Sequence, residues 1–168
     1  MISNSSDSKL ETGWSEERHL SVSIQSQLVE LKQGSNCIWT APVSTAKNGV
    51  GEEEGSHQTP RGWFRIAEKI GDQLPLGSIL KSRKPTGFIW SADLPKSEED
   101  LILTRILWLE GVEPHNANTK NRYIYFHGTN QESLIGQPAS HGCIRLRNQA
   151  MLQLFDFVEI QTPVWIGL

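Results

Sequence analysis

A histidine and a cysteine that could together perform nucleophilic catalysis lie in the last third of the chain. His127 and Gly128 end an apolar run, and a polar loop separates them from Cys143. A thiol has a reference pKa of about 8.5, so only a few per cent is thiolate at neutral pH, and an imidazole that accepts its proton increases the reactive fraction. The two side chains therefore supply the minimum for acyl transfer through a thioester.

The candidate nucleophile ends the run Ser140-His141-Gly142-Cys143, in which the glycine has a physical role. A residue without a Cβ permits a tight turn and lets backbone N–H groups point at a developing oxyanion. We therefore expect the amides of His141, Gly142 and Cys143 to form such a site.

The imidazole of His127 must be oriented by an acceptor for its second N–H group. Glu132 is the acid close to it in sequence, and a backbone carbonyl such as that of Gly128 is an equally good acceptor. The sequence leaves both open.

Two other interpretations of these residues are open at this point. A lone cysteine such as Cys143 is usually a small buried hydrophobe. His127, His141 and Cys143 also offer three zinc ligands, but the His-x-Cys spacing is tight for simultaneous chelation. We therefore predict no metal site and no cofactor.

A longer, ordered pattern separates these interpretations. It consists of His127-Gly128-Thr129, Ile135-Gly136-x-Pro138, Ser140-His141-Gly142-Cys143-Ile144-Arg145-Leu146 with Asn148, and, upstream, Val43-Ser44-Thr45-Ala46-Lys47 and Thr59-Pro60-Arg61-Gly62-Trp63-Phe64-Arg65-Ile66. From about Ser21 to Ile166 the chain resembles the L,D-transpeptidase catalytic domain, the YkuD family. The resemblance implies a mainly β fold, a mixed β-sandwich with one helix after the catalytic cysteine.

The resemblance also implies roles for the catalytic residues. Cys143 corresponds to the acylated nucleophile and His127 to its base. His141 lies beside the nucleophile, and Gly128 and Gly142 belong to the same site.

Two further residues are expected on the substrate side. Arg145 belongs to the wall of the site, where a guanidinium could bind a substrate carboxylate bidentately, and Ser140 is expected to contact the substrate. An ion pair that orders the loop is an equally good interpretation of Arg145. We assign Asn148 to helix capping.

The substrates that the resemblance implies are peptidoglycan stem peptides or muropeptides, and carbapenem-type inhibitors are expected to acylate the cysteine. Cys143 would attack the L,D bond between diaminopimelate and D-Ala. Water as acceptor gives an L,D-carboxypeptidase, and an amine of another stem gives a transpeptidase that cross-links peptidoglycan. A non-catalytic binder of peptidoglycan peptides is a further alternative.

Composition excludes several classes of protein. The net charge of -3 and pI of about 5.9 give no basic surface for nucleic acid. The longest apolar run, Ile106 to Leu109, is far shorter than the roughly 20 residues of a membrane span. Cys37 and Cys143 are expected to be free thiols, since one bridge is not a disulfide framework.

The first residues are polar and contain no basic and then apolar leader. This predicts a cytoplasmic protein, or a periplasmic one if a leader has been removed. A cytoplasmic location favours L,D-carboxypeptidase activity in peptidoglycan recycling, as in family members without a signal. We predict a disordered tail at 1–20 and a catalytic domain at 21–168.

Period-two apolar runs separated by turn residues predict the strands. The candidates are Val22/Ile24, Leu28/Leu31, Ile38–Val43, Trp63–Ile70, Ser78–Ser82, Gly87–Ser91, Leu101–Leu109, Arg122–Phe126 and Val158–Ile166. Leu101–Leu109 is apolar on both faces and is expected to be the central strand. Apolar residues at helical spacing predict one helix at Gln149–Phe157. The aromatic segment Lys84–Asp100 is a candidate lid, although Trp90 could equally be a core contact.

Overall fold

Short strands dominate residues 18–168, the part of the chain that the structure, a computed structural model, describes. That part holds ten strands and one α-helix. The elements are β1 (Arg18–Ser23), β2 (Leu28–Gln33), β3 (Asn36–Pro42), β4 (Gly62–Ile70), β5 (Ser78–Lys81), β6 (Lys84–Ile89), β7 (Ile102–Gly111), β8 (Tyr125–Gly128), β9 (Ile144–Leu146), α1 (Asn148–Phe157) and β10 (Pro163–Gly167). Short 3-10 turns occur at Pro114–Asn116, Lys120–Arg122 and Glu132–Leu134.

The strands form a mixed sheet in the order β3-β2-β1-β10-β4-β7-β5-β6. A branch leaves this order at β7, whose second edge pairs with β8, and β8 pairs in turn with β9. The β1–β10 and β8–β9 pairs are parallel, and the other pairs are antiparallel. The expectation of a mainly β, mixed fold is confirmed.

β7 is the central strand, as its two apolar faces predict. β4 and β5 follow one another along one of its edges, and β8 pairs with the other. Leu103, Ile106, Leu107 and Leu109 are fully buried. A strand with neighbours on both edges and packing on both faces is largely apolar, because little of either face is left for water, and the buried Thr104 and Arg105 of β7 make hydrogen bonds within the protein.

The hydrophobic core has a large and a small part. The large part packs α1 against β1, β2, β4, β7, β8 and β10, and Met151, Leu154 and Phe155 are the buried face of the helix. The small part consists of Leu80, Ile106 and Tyr125. Cys143 packs against this small part, so the candidate nucleophile lies at the edge of the core.

The predicted helix is confirmed, but Asn148 does not cap it. Asn148 is already in the first turn of α1, and its buried side chain bonds outside the helix. At the other end, Lys69 donates from Nζ to the carbonyls of Phe155 and Val158, both at 2.7 Å. These carbonyls are among those that a helix leaves unpaired, so Lys69 acts as the carboxyl-terminal cap.

The bounds of several elements differ from the predictions. β10 begins at Pro163 and not at Val158, because a turn follows α1. β1 begins at Arg18, so the domain includes residues assigned to the tail, and 1–17 lie outside the described residues. β8 begins only at Tyr125, because Tyr123 follows a 3-10 turn with a left-handed φ of 57°. β9 was not predicted, since so short a strand shows no period-two pattern. No helix in 18–168 is long and apolar enough to span a membrane.

Candidate active site

Two parallel strands bring the predicted base and nucleophile to one face. The register of β8 and β9 places His127 beside Arg145. Cys143 lies just before β9, next to Tyr125, whose backbone N–H donates to Sγ at 3.4 Å. Because side chains alternate along a strand, Cys143 and Arg145 lie on the same face as His127.

His127 is buried and oriented by a backbone carbonyl. Its Nδ1 lies 2.7 Å from the carbonyl oxygen of Gly128, which can only accept a hydrogen bond, so Nδ1 carries the proton and Nε2 keeps its lone pair. Glu132, the other candidate acceptor, instead accepts from the N–H of Asn148. Burial lowers the pKa of His127, although Asp100 and the Gly128 hydrogen bond oppose the shift. At pH 7 the imidazole is neutral and can accept a proton.

Cys143 is a half-buried free thiol. Its Sγ donates to the carbonyl of Tyr123 at 3.3 Å and accepts from the N–H of Tyr125. Burial raises the pKa of the Cys143 thiol to about 12, although the Tyr125 N–H opposes the shift. On this scale roughly one thiol in 10⁵ is ionised at pH 7, so the resting group is neutral. To reach His127, the proton must leave the Tyr123 carbonyl.

The turn before Cys143 is closed by the side chain of Ser140. The Ser140 hydroxyl is buried, donates to the carbonyl of Cys143 at 2.6 Å and accepts from the N–H of Gly142 at 3.2 Å. These two bonds use the hydroxyl within its own loop. The prediction that Ser140 contacts the substrate is therefore corrected, and the residue shapes the turn that presents Cys143.

Gly142 has the conformation that the turn requires. Its φ of 129° lies in a region that side-chain-bearing residues rarely adopt, and a Cβ there would approach the Gln58 carbonyl at 3.3 Å. The buried hydroxyl of Thr59 fixes the glycine carbonyl by donating to it at 2.9 Å, and it accepts from the N–H of Ala46. Thr59 stood in the quoted pattern without an assigned role, because a contact so distant in sequence leaves no local signal.

The predicted oxyanion site is reduced from three amides to two. The Gly142 N–H is already bonded to Ser140. The N–H groups of His141 and Cys143 make no hydrogen bond to any residue in the described part of the chain. These two amides flank the thiol and can receive a charged oxygen.

Arg145 is fully buried and cannot reach a substrate. Its Nη1 donates to Asp100 at 3.0 Å and to Gln131 at 2.7 Å, and its Nη2 donates to Ser44 at 3.1 Å. Of the two interpretations of Arg145, the structure holds the ordering ion pair, which leaves no exposed part of the side chain for a substrate carboxylate. Asp100, which the sequence analysis assigned no role in the site, is its partner.

His141 lies on the surface of the same site. Its side chain is 74% exposed, and its Nδ1 lies 3.6 Å from Asp100. Its ring also approaches that of His57, with centroids 5.9 Å apart. Residues 18–168 contain no group of three metal-ligating His, Cys, Asp or Glu side chains, so the zinc alternative has no support.

A second buried network lies behind His127. The Asn148 side chain donates to the Thr129 carbonyl at 2.8 Å and accepts from the Thr104 hydroxyl at 2.7 Å. Gly128 is required here, since a Cβ would collide with the Asn148 amide oxygen. Thr104 has a φ of 73°, rare for a β-branched residue, at the irregularity where β7 pairs with β8. The network fixes the backbone that orients the imidazole.

The two ends of the candidate lid segment, Lys84–Asp100, make different contacts. Its first part is β6, which is exposed along its length and includes Phe88. Its last part is tied to the loop after β8, where Asn130 and Gln131 bond to Glu98, Glu99 and Leu101. Trp90 is half-buried and lines a cleft of about 320 Å³ between the two loops.

Comparison with known proteins gives one family. A model described as the L,D-transpeptidase catalytic domain, YkuD, matches residues 17–166. The chain is 27% identical over 136 residues to the probable L,D-transpeptidase ErfK/SrfK of Salmonella typhimurium strain LT2. That alignment covers 79% of this chain and 38% of the relative, so the chain spans well under half of the relative's length.

Solved structures show the same fold. The L,D-transpeptidase from Xylanimonas cellulosilytica superposes with a TM-score of 0.60 at 18% identity, covering 99% of this chain and 71% of that chain. LD transpeptidase LdtMt1 in complex with imipenem superposes with a TM-score of 0.55 at 20% identity, covering 89% and 58%. At such identities the likeness establishes the fold alone.

Removal of the buried guanidinium should destabilise the domain. In Arg145→Met the carboxylate of Asp100 loses its partner, and breaking a buried ion pair costs about 3 kcal/mol of unfolding free energy, the low end of the usual range because the Asp100 side chain is 20% exposed. Urea unfolding measures the loss. The exposed Arg147→Met is the matched control and should change stability by under about 0.5 kcal/mol. Equal stability of the two variants, with a raised KM only in Arg145→Met, would restore the substrate contact.

Proposed function

Since the chain belongs to the L,D-transpeptidase catalytic domain family, YkuD, we propose that it transfers acyl groups from peptidoglycan stem peptides through a thioester on Cys143. The observation that carries the proposal is a neutral imidazole with a free Nε2 on the same face as a neutral thiol. The thiol is flanked by the two unbonded amides of His141 and Cys143. These are the parts that thiol acylation needs.

The proposed first step is attack on the diaminopimelate–D-Ala carbonyl. The Sγ–C bond forms while the thiol proton moves to Nε2 of His127, and the carbonyl oxygen becomes an oxyanion facing the amides of His141 and Cys143. The C–N bond then breaks, and the proton on Nε2 passes to the departing amine of D-Ala. A thioester remains on Cys143.

Charge in this step develops where the site can stabilise it. The imidazolium of His127 keeps its hydrogen bond to the Gly128 carbonyl, and Asp100 favours its positive charge. Starting from two neutral groups, the enzyme needs no resting ion pair. General-base transfer of this kind contributes typically about 10²- to 10⁴-fold.

We propose water as the acceptor, which makes the activity an L,D-carboxypeptidase. The support is steric: Cys143 packs against the cluster of Leu80, Ile106 and Tyr125, and a Cβ on the preceding Gly142 would meet Gln58 and Ile124, so there is little open space on these two sides of the nucleophile. Water needs only a narrow path to the thioester. Transpeptidation, in which a second stem supplies the amine, is the second candidate, and the names of the relatives favour it.

The identity of the nucleophile is tested by acylation with imipenem, the ligand of one structural relative. The wild-type protein should gain one covalent adduct in an intact-mass spectrum, and Cys143→Ala should gain none while keeping its melting temperature. Cys37→Ala is the matched control, because Cys37 is an exposed free thiol on β3. A protein that binds stem peptides without catalysis would give no adduct, and equal loss in both variants would remove the assignment.

The pH profile of acylation tests the base. Because burial lowers the pKa of His127 below its usual value of 6.5, the wild-type rate should stay on its plateau down through pH 6.5 and fall only in more acidic solution. In His127→Ala the rate should follow the thiolate of Cys143, whose pKa is about 12, and rise about tenfold per pH unit from pH 6 to 9.

The exposed His141 provides the comparison for that experiment. His141→Ala should lose less activity than His127→Ala and keep the wild-type profile. If His141→Ala loses more, or if the wild-type rate already falls off below pH 7.5, His127 is not the neutral base.

The products of a tetrapeptide stem identify the acceptor. With water as acceptor, mass spectrometry should show released D-Ala and accumulating tripeptide, with little cross-linked dimer even at high substrate concentration. Cys143→Ala should form neither product. Dimer as the main early product would establish the transpeptidase and reject the carboxypeptidase.

A further inference from the structure

The hairpin of β5 and β6 presents an arginine to the two tyrosines that contact the candidate nucleophile. Its two-residue turn is Ser82-Arg83, with φ values of 48° and 65°, and Lys81 and Lys84 pair on either side. Two left-handed residues in a two-residue turn match the twist of the strands, so the tip is a defined hairpin. The backbone therefore sets the direction from which Arg83 leaves the hairpin.

The guanidinium of Arg83 lies against an aromatic wall. Its carbon is 5.1 Å from the Trp108 ring centroid and 5.0 Å from that of Tyr123, and Nη1 donates to the Tyr125 hydroxyl at 3.3 Å. The Trp108 ring stacks on Tyr123, with centroids 5.7 Å apart, and meets Tyr125 edge-on. Three rigid rings hold the cation in place at a low entropic cost.

The same two tyrosines hold the sulfur of Cys143. Tyr123 and Tyr125 bind the guanidinium of Arg83 with their side chains and bind Sγ with their backbone carbonyl and N–H groups. One tyrosine side chain therefore separates the cation from the nucleophile. A peptide attached to Sγ that carries a carboxylate several bonds from its reacting carbonyl is long enough to span one tyrosine side chain.

Arg83 has no carboxylate partner in the described part of the chain. Some of the other arginines do: Arg145 pairs with Asp100, and Arg65 pairs with Glu110 at 2.8 Å. Glu68 interacts electrostatically with Arg83, but its carboxylate is bound to Lys120 at 3.1 Å. A guanidinium has five N–H donors, and the one protein hydrogen bond found here goes to a neutral hydroxyl. Such a group is suited to bind an anion.

We propose that Arg83 binds a carboxylate of the acyl donor and so selects donors that carry one near the reacting carbonyl. The proposal rests on the proposed function, since it names the group that recognises the substrate of Cys143. The two residues that flank the L,D bond of a tetrapeptide stem each carry a free carboxylate: that of the terminal D-Ala and that of the D-centre of diaminopimelate. Both have the chemistry that a planar guanidinium binds bidentately.

In this proposal Arg83 has the carboxylate-binding role that was expected of Arg145. The Arg145 side chain is fully buried, whereas the Arg83 side chain is half-buried. Tyr123, which is 51% exposed, continues the wall outward from Arg83. The alternative is a structural role, in which Arg83 only anchors the hairpin to the three aromatic rings.

A cycle of variants and substrates separates these roles. We compare Arg83→Gln and Arg83→Lys with Lys84→Gln, which removes an exposed positive charge from the adjacent residue of the hairpin. Each is assayed on the tetrapeptide stem, on the stem ending in D-alaninamide and on the stem with amidated diaminopimelate. Melting temperatures identify any variant that fails to fold.

The expected result is that Arg83→Gln loses about 10- to 100-fold in kcat/KM on the acid stem, mainly through KM. Arg83→Lys should retain part of the activity, because its ammonium keeps the charge without the fork. Lys84→Gln should match the wild type. With the one stem that lacks the bound carboxylate, Arg83→Gln and the wild type should become equal, which identifies the carboxylate.

Two outcomes would overturn the proposal. An equal loss on all three stems would show that Arg83 binds neither of the two carboxylates that flank the L,D bond, and no loss on any stem would show that it has no role. Acylation by imipenem and by its methyl ester keeps the question separate from stem-peptide turnover. If no stem is turned over but Arg83→Gln slows acylation by the acid and not by the ester, carboxylate selection stands and the proposed substrate class fails.

Discussion

A fully buried guanidinium, that of Arg145, is the constraint on which the candidate site depends. A buried charge without partners is strongly destabilising, so every segment that supplies an acceptor must stay in place. Asp100, Gln131 and Ser44 come from three separate segments and meet at this one group. Through these bonds Arg145 connects β9 to the residues just before β7 and to the loop after β8. Cys143, just before β9, inherits its position from these bonds.

The burial that makes an unpaired charge on Arg145 costly also sets the protonation states of Cys143 and His127. Burial disfavours the charged form of any group, so it raises the pKa of the Cys143 thiol and lowers the pKa of the His127 imidazole. The two shifts have opposite signs and the same consequence: both groups rest neutral. A thiol in this state is protected from adventitious reaction. In the proposed mechanism it becomes a nucleophile only when its proton moves to His127 in the presence of an acyl donor.

The backbone and the side chains of the aromatic wall make different contacts. The main chain of Tyr123 and Tyr125 holds the sulfur, and their rings with Trp108 hold Arg83. The left-handed conformation of Tyr123 makes this possible, since it ends the 3-10 turn and begins the path into β8. Nucleophile and proposed carboxylate site are therefore parts of one rigid unit.

The sequence by itself determined the chemistry and the framework. The His127, Gly142 and Cys143 pattern indicated the family, β7 was recognisable because both its faces are apolar, and α1 because its apolar residues repeat at helical spacing. Neither pattern depends on distant contacts. Only the tertiary structure decided the contacts of the polar residues. From the sequence alone, a guanidinium could bind either a substrate carboxylate or a carboxylate within the protein. Arg145 is buried in an internal ion pair, and a hairpin distant in sequence brings Arg83 to the tyrosines that contact the thiol, because partner choice depends on which segments pack together in three dimensions.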